Sequence, residues 1–218
     1  MGGAPEGERE IVRWAAAGVL TVAVMAATPA AGQSAPGPWA LDVRAATSGV
    51  PGDAAFYPTL TAAAVPSRGY GADIGGHFYA FTIGPGRVGF GANVLIIRST
   101  ATAAAPSADP DSSQRLTVNL RTISPQISFN FGSRDGWSYL SAGLGVASIA
   151  TETQGAASGS VESGWLRSVN FGGGARWFIK PRLAFGFDVR AHKIAAGSGT
   201  TPTPASTVTS VSAGLSIR

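Results

Sequence analysis

The chain has 218 residues, enough for one domain, with 16 Lys and Arg against 12 Asp and Glu and a formal net charge of +4. Only 13% of the residues are charged, about half the share usual in a soluble domain, while 30 are glycine and none is cysteine. This composition excludes a disulfide scaffold and a cysteine metal centre, and the scattered basic residues form no stripe of the kind that tracks nucleic acid.

Residues 1–32 read as a secretory signal. Arg9 and Arg13 supply a positive start, 14–27 a short apolar stretch, and Ala30-Ala31-Gly32 the small side chains of a cleavage site, placing the mature start near Gln33. The apolar stretch is too short to cross a bilayer as a helix. The expected layout is a signal peptide over 1–32 and one folded domain over 33–218.

From Trp39 onward a two-residue alternation dominates, and period two means strand. Eight segments carry it. In 39–46, Trp39, Leu41, Val43 and Ala45 share one face and Asp42 and Arg44 the other. In 68–82, Tyr70, Ala72, Ile74 and Phe78 oppose Asp73, Gly75 and His77. In 87–99, Val88, Phe90, Ala92, Val94 and Ile96 oppose Gly89, Gly91 and Asn93, although Leu95 and Ile97 interrupt the polar side. Segment 114–131 changes phase: Leu116, Val118 and Leu120 have one parity, and Ile123, Ile127, Phe129 and Phe131 the other. A β-bulge near 121–123 would produce that slip, and Pro125 fits a locally unpaired position.

Segment 137–151 sets Leu140, Ala142, Leu144 and Val146 against Ser141, Gly143 and Gly145. Segment 164–178 sets Trp165, Val169, Phe171, Ala175 and Trp177 against Ser168, Asn170, Gly172, Gly174 and Arg176. Segment 182–194 is the clearest, with Leu183, Phe185, Phe187, Val189 and Ala191 against Ala184, Gly186, Asp188, Arg190 and His192. The last, 206–218, opposes Val211, Ala213, Leu215 and Ile217 to Ser210, Ser212, Gly214 and Ser216. Short connections at 83–86, 132–136 and 179–181 contain turn formers, whereas 47–67, 100–113, 152–163 and 195–205 are long and polar.

A face of Gly, Ser, Asn, Asp and Arg cannot fill a greasy core, and a face of Phe, Leu, Val and Trp needs an apolar surrounding. A closed all-β barrel, eight-stranded, antiparallel and up-and-down, with its apolar face in lipid meets both demands. Alternating short turns and long loops give its two ends different characters.

The signal-like start, the eight segments, the loop asymmetry and the final Ser212-Ala213-Gly214-Leu215-Ser216-Ile217 resemble small bacterial outer-membrane β-barrels of the OmpA-transmembrane and OmpX type, over residues 37–218. Arg218 then follows, without that family's terminal aromatic. The resemblance implies a monomer in the outer membrane of a Gram-negative-type envelope. Its implied partners are outer-membrane lipids and lipopolysaccharide, the barrel-assembly machinery, and an unidentified extracellular ligand of the long loops.

By parity the expected lumenal polar network is Asp42, Arg44, Asp73, His77, Arg121, Asn130, Asn170, Arg176, Asp188, Arg190 and His192, with a structural role. Trp39, Tyr70, Trp137, Trp165 and Trp177 are the expected aromatic girdle at the bilayer interfaces. No catalytic residue, cofactor or metal is expected. His77 and His192 are the only histidines and lack ligand spacing. The glycine runs lie inside strands, not between a strand and a helix as a phosphate loop requires. Three other functions fit an eight-stranded barrel: a lipid A-modifying enzyme using a histidine, a narrow pore, and a soluble lipocalin-like periplasmic barrel with the apolar parity turned inward.

Overall fold

The computed structural model describes residues 37–57, 65–104, 113–133, 136–154, 158–198 and 202–218. The signal-peptide expectation and the start near Gln33 lie outside the described residues. Eight strands follow one another: β1 Trp39–Gly49, β2 Arg68–Ile83, β3 Gly86–Ala104, β4 Ser113–Ser133, β5 Gly136–Gln154, β6 Gly159–Lys180, β7 Leu183–Ile194 and β8 Ser206–Ile217. Each pairs antiparallel with the next, and β1 returns to β8 from Leu41↔Ile217 to Ser48↔Ser210, so the sheet closes without an edge.

The alternation selects the faces as expected. Val43, Phe78, Phe90, Ile127, Leu144, Phe171, Phe185 and Leu215, one from each strand, are all exposed on the outside. Asp42, Asp73, Asn93, Gln126, Ser141, Asn170, Asp188 and Ser212 occupy the inside of the same strands and are buried. The barrel is thus turned inside out relative to a soluble domain, in which the apolar face is the buried one. On β4 the outward run from Ile123 to Phe131 is about 21 Å tall at ~3.4 Å per residue and ~40° tilt, close to the apolar band of a membrane barrel.

One local expectation is overturned. No bulge interrupts β4 near 121–123: its register with β3 is unbroken from Gly86↔Phe131 to Ala104↔Ser113. Leu116, Val118 and Leu120 point inward on the same parity as Ser124, Gln126 and Asn130. The apparent phase slip records a change of chemistry inside the barrel, from polar to apolar, rather than an extra residue. The pairing of β4 with β5 passes from Ile123↔Val146 to Gln126↔Gly143 without partners at Ser124 and Pro125, which is where a residue without an N–H donor belongs. Register shifts occur instead at Tyr79/Phe81, Ser148/Ala150 and Phe178/Lys180.

The turn between β2 and β3 holds Gly84 at φ +54°, a left-handed conformation that glycine adopts without a Cβ penalty. At the opposite end, the connection after β1 folds back on the mouth as a 3-10 turn at Ala54–Phe56.

Candidate functional site

The interior is filled in three tiers. At the short-turn end, Ala40, Tyr79 and Trp137 are buried together with Phe178 against them. The Trp137 and Phe178 rings meet edge-on at 4.7 Å, and the Arg218 guanidinium lies over both, 4.8 Å and 4.0 Å from their centroids.

The middle tier is ionic. Period two puts residues i and i+2 on one face, so Asp42 sits beside Arg44 (2.8 Å) and Asp188 beside Arg190 (2.9 Å). Register adds the cross-strand pair Arg44 and Asp73, at 3.5 Å. Arg176 reaches across the lumen and grips Asp42 with two parallel hydrogen bonds of 2.8 and 2.6 Å, a fork that matches a carboxylate. Ser216, the register partner of Asp42, donates to it as well. Asp73 accepts from Ser212 at 2.7 Å and from Asn93.

Tyr139 joins the two halves. Its hydroxyl donates to Asp188 at 2.8 Å, while the Arg176 guanidinium lies 4.2 Å from its ring centroid. Arg190 also donates to Asn170 and Ser141, each at 2.8 Å, and Gln126 donates to Asn170 at 3.0 Å. Three carboxylates therefore meet three guanidinium groups. Charge balance and a shell of hydrogen bonds are what buried ions require.

Glycine makes room for these groups. Opposite Arg44, His77, Tyr79, Asn170, Arg176 and Arg190 the register places Gly214, Gly91, Gly89, Gly143, Gly186 and Gly172. Gly174 faces Tyr139 on one side and Asp188 on the other, and a Cβ there would lie 2.8 Å from the Tyr139 hydroxyl. A side chain at that position would collide with the bond that joins the two halves.

The third tier, at the long-loop end, is apolar. Leu95, Ile97, Leu116, Val118, Leu120, Ile149, Ile194 and Val208 form one buried cluster inside the barrel. Phe56 and Tyr57 enter it from the β1–β2 connection and are 1% and 3% exposed. Thr151 of β5 donates to the Phe56 carbonyl at 3.0 Å, and the Tyr57 hydroxyl donates to the Pro51 carbonyl. Burial pushes the Tyr57 hydroxyl up to about 12, so it remains a donor through neutral pH.

Asp42, Arg44, Asp73, His77, Asn130, Asn170, Arg176, Asp188, Arg190 and His192 are all buried inside the barrel. Arg121 is not. It projects from the outer face of β4 and is exposed, because the strand keeps one phase throughout. Trp39, Tyr70, Trp165 and Trp177 are on the outside, 42–69% exposed. Trp137 is the second correction: it shares the inward parity of Tyr139 and Ser141, is 1% exposed, and plugs the short-turn end.

The apolar tier was missed. Its signal was present twice, in Leu95 and Ile97 breaking the polar side of β3 and in the slip of β4. Both mark one height, since Ile97 pairs with Leu120.

The two histidines are held in different surroundings. His77 stacks on Tyr79 at 6.1 Å and lies 6.4 Å from the Tyr139 ring, centroid to centroid. His192 Nε2 is 3.3 Å from Ser210 Oγ. Among the described residues no carboxylate hydrogen-bonds to either ring, and no group of three or more His, Cys, Asp and Glu is placed to hold a metal ion.

The fold defines a class: an eight-stranded, closed, antiparallel barrel with its apolar surface outside and a polar, side-chain-filled interior. No protein-family model matches the chain, and no curated protein matches it. Solved structures of similar fold include Neisserial surface protein A, at 14% identity and TM-score 0.49, covering 83% of this chain and 97% of that one. They also include Ail, the attachment invasion locus protein of Yersinia pestis, at 12% identity and TM-score 0.48, covering 82% and 96%. The outer-membrane protease OmpT of Escherichia coli is similar at 8% identity and TM-score 0.44, covering 70% and 64%.

Proposed function

We propose that this protein is a monomeric outer-membrane β-barrel, exported with residues 1–32 removed, that serves a structural or surface-interaction role through its four long connections. The observation that carries the reading is the exposed apolar belt around a charge-balanced, filled lumen. Such a belt is costly in water and favourable in lipid. The short turns then face the periplasm and the long connections the exterior. The partners are outer-membrane lipids and lipopolysaccharide, the barrel-assembly machinery that inserts it, and a ligand of the long connections, where variable function sits on a rigid scaffold.

The filled interior supports a structural lumen over the alternatives. A pore needs a continuous water path, whereas the apolar tier and the Trp137 tier block both ends. A lipid A-modifying enzyme needs its nucleophile and base where an acyl chain reaches, whereas His192 is 0% and Ser210 5% exposed inside the barrel. A lipocalin-like barrel needs the apolar parity inside.

Fractionation of the source cell followed by electrophoresis without and with boiling tests the reading. The protein is expected in the outer-membrane fraction, with an unheated band that migrates differently from the boiled one, and to give no conductance steps in planar bilayers. Recovery in the soluble fraction without detergent would contradict it.

A further inference from the structure

Phe56 and Tyr57 fill part of the interior that the strands leave to a connection. They are buried against aliphatic side chains of the barrel wall, among them Leu95, Ile97, Leu120, Ile149, Ile194 and Val208. The β1–β2 connection braces itself: Ala55 donates its N–H to the Asp53 carboxylate at 2.9 Å, Phe56 donates to the Asp53 carbonyl at 3.1 Å, and the Tyr57 hydroxyl donates to the Pro51 carbonyl. It meets the wall through the two aromatic side chains and through the Thr151 bond to the Phe56 carbonyl. Neither aromatic residue belongs to a strand ladder, so withdrawing the two rings leaves β1 and β2 paired and opens an apolar cup at the mouth.

The built-in occupant does not match the chemistry of that cup. Thr122 Oγ1, Ser168 Oγ and His192 Nδ1 have no hydrogen-bond partner among the described residues, and the three side chains are 0–3% exposed. Register puts all three level with the apolar tier: Thr122 pairs with Leu95 and Ala147, Ser168 with Ile194, and His192 with Val208. Buried polar groups are normally satisfied. The Phe56 ring offers these groups no donor or acceptor, and the Tyr57 hydroxyl is turned to Pro51.

We propose that the outer mouth of the barrel is a binding cup for a small uncharged molecule with an apolar body and one hydrogen-bonding end, which enters in place of Phe56 and Tyr57. The proposal rests on the membrane reading above for the direction of entry, from the exterior. An aliphatic wall with a few convergent polar groups is the make-up of a small-molecule pocket. The bulk of two aromatic side chains sets the size of the ligand. Its neutrality follows from the tiers. Among the described residues no ionised side chain belongs to the apolar cluster, and the three carboxylates beneath it already meet three guanidinium groups, so a charged ligand would lack a partner. An empty apolar cup open to water is unfavourable, so the rings hold it until a ligand competes, and the ligand's affinity is lowered by the fraction of chains that are open.

The test is photolabelling of the full chain in lipid vesicles with para-hydroxymethyl benzophenone, an uncharged aromatic alcohol. Peptide fragmentation separates label on inward Leu95, Ile97 and Leu120 from label on outward Ile96 and Ile123, which report probe dissolved in the lipid. Inward label is expected to be about fivefold stronger than with benzophenone, which lacks the hydroxyl, the size of one net hydrogen bond. The carboxylate para-benzoylbenzoate is expected to leave no inward label. Thr122→Val/Ser168→Ala removes only unpartnered hydroxyls, so the barrel is expected to fold and the fivefold advantage to vanish. The chain has no cysteine, so Tyr57→Cys supplies a single thiol, and the alcohol is expected to speed its reaction with a water-soluble maleimide. Label confined to the outer face, equal inward label from alcohol and carboxylate, an unchanged advantage in the double variant, or a thiol whose rate ignores the probe would each overturn the proposal. Heat-shifted migration reports the barrel separately: absence of inward label with the shift intact refutes the cup alone, and absence of the shift in the native chain refutes the membrane reading. If a variant loses the shift, the three probes on the native chain decide the matter by themselves.

Discussion

Asp42→Asn is expected to cost about 3–5 kcal/mol of barrel stability, the penalty for leaving a buried ion without its partner. Asp42 holds Arg176 through two hydrogen bonds, contacts Arg44 and accepts from Ser216, all within a site 0–3% exposed. The asparagine preserves shape but removes the charge, so two guanidinium groups lose a counter-ion at once. Urea titration in detergent, followed by the unheated band, should show the midpoint fall with little change of slope. Asp42→Leu combined with Arg176→Leu removes both charges of the fork and is expected to recover most of the loss, because a neutral apolar pair in a lumen is far cheaper than an orphaned ion. A single variant as stable as the native chain would mean that the network is not closed as described.

Ile127→Arg is expected to destabilise the barrel by about 2–4 kcal/mol in lipid vesicles, the cost of a cation near the middle of an apolar band. Ile127 is 51% exposed at the centre of the outward run of β4 that starts at Ile123 and ends at Phe131. The same substitution on a face meeting water would change stability by no more than about 0.5 kcal/mol. Arg121, three outward positions away, is a useful internal contrast. It is a native arginine on the same face of the same strand, and it sits where the apolar run ends. Equilibrium unfolding of native and variant chains in vesicles separates the two outcomes.

Much of the fold can be read directly from side-chain period. β7 alternates without interruption, and its two faces differ so sharply that orientation follows once a barrel is assumed. The pairs Asp42–Arg44 and Asp188–Arg190 are legible for the same reason, since i and i+2 share a face. The bond between Arg176 and Asp42 is not, because it spans the lumen and depends on closure of β1 against β8.

The glycines opposite the large lumenal residues are legible only with register in hand. Gly172 and Gly174 look like flexibility or a phosphate loop until Arg190, Asp188 and Tyr139 are placed across from them. The errors at β4 and Trp137 share a cause. A narrow barrel turns some apolar groups inward to plug its ends, so apolar character alone does not mark the outer face. Trp137 has the parity of Tyr139 and Ser141, and that parity outranks its aromatic character. The correction at Arg121 follows from the same continuous phase, and it moves a cation from the lumen to the rim.

Tryptophan fluorescence in lipid vesicles tests the central claim most directly, because the four tryptophans of the strands divide between the two faces. Trp39, Trp165 and Trp177 stand on the outer surface and Trp137 in the interior. Chains retaining one of these four, with the remaining tryptophans including Trp14 replaced by phenylalanine, are reconstituted with lipids brominated along the acyl chain. Quenching is expected for Trp39, Trp165 and Trp177, strongest with bromines near the headgroup, and little for Trp137. Strong quenching of Trp137 with none of the other three would contradict an outward apolar face.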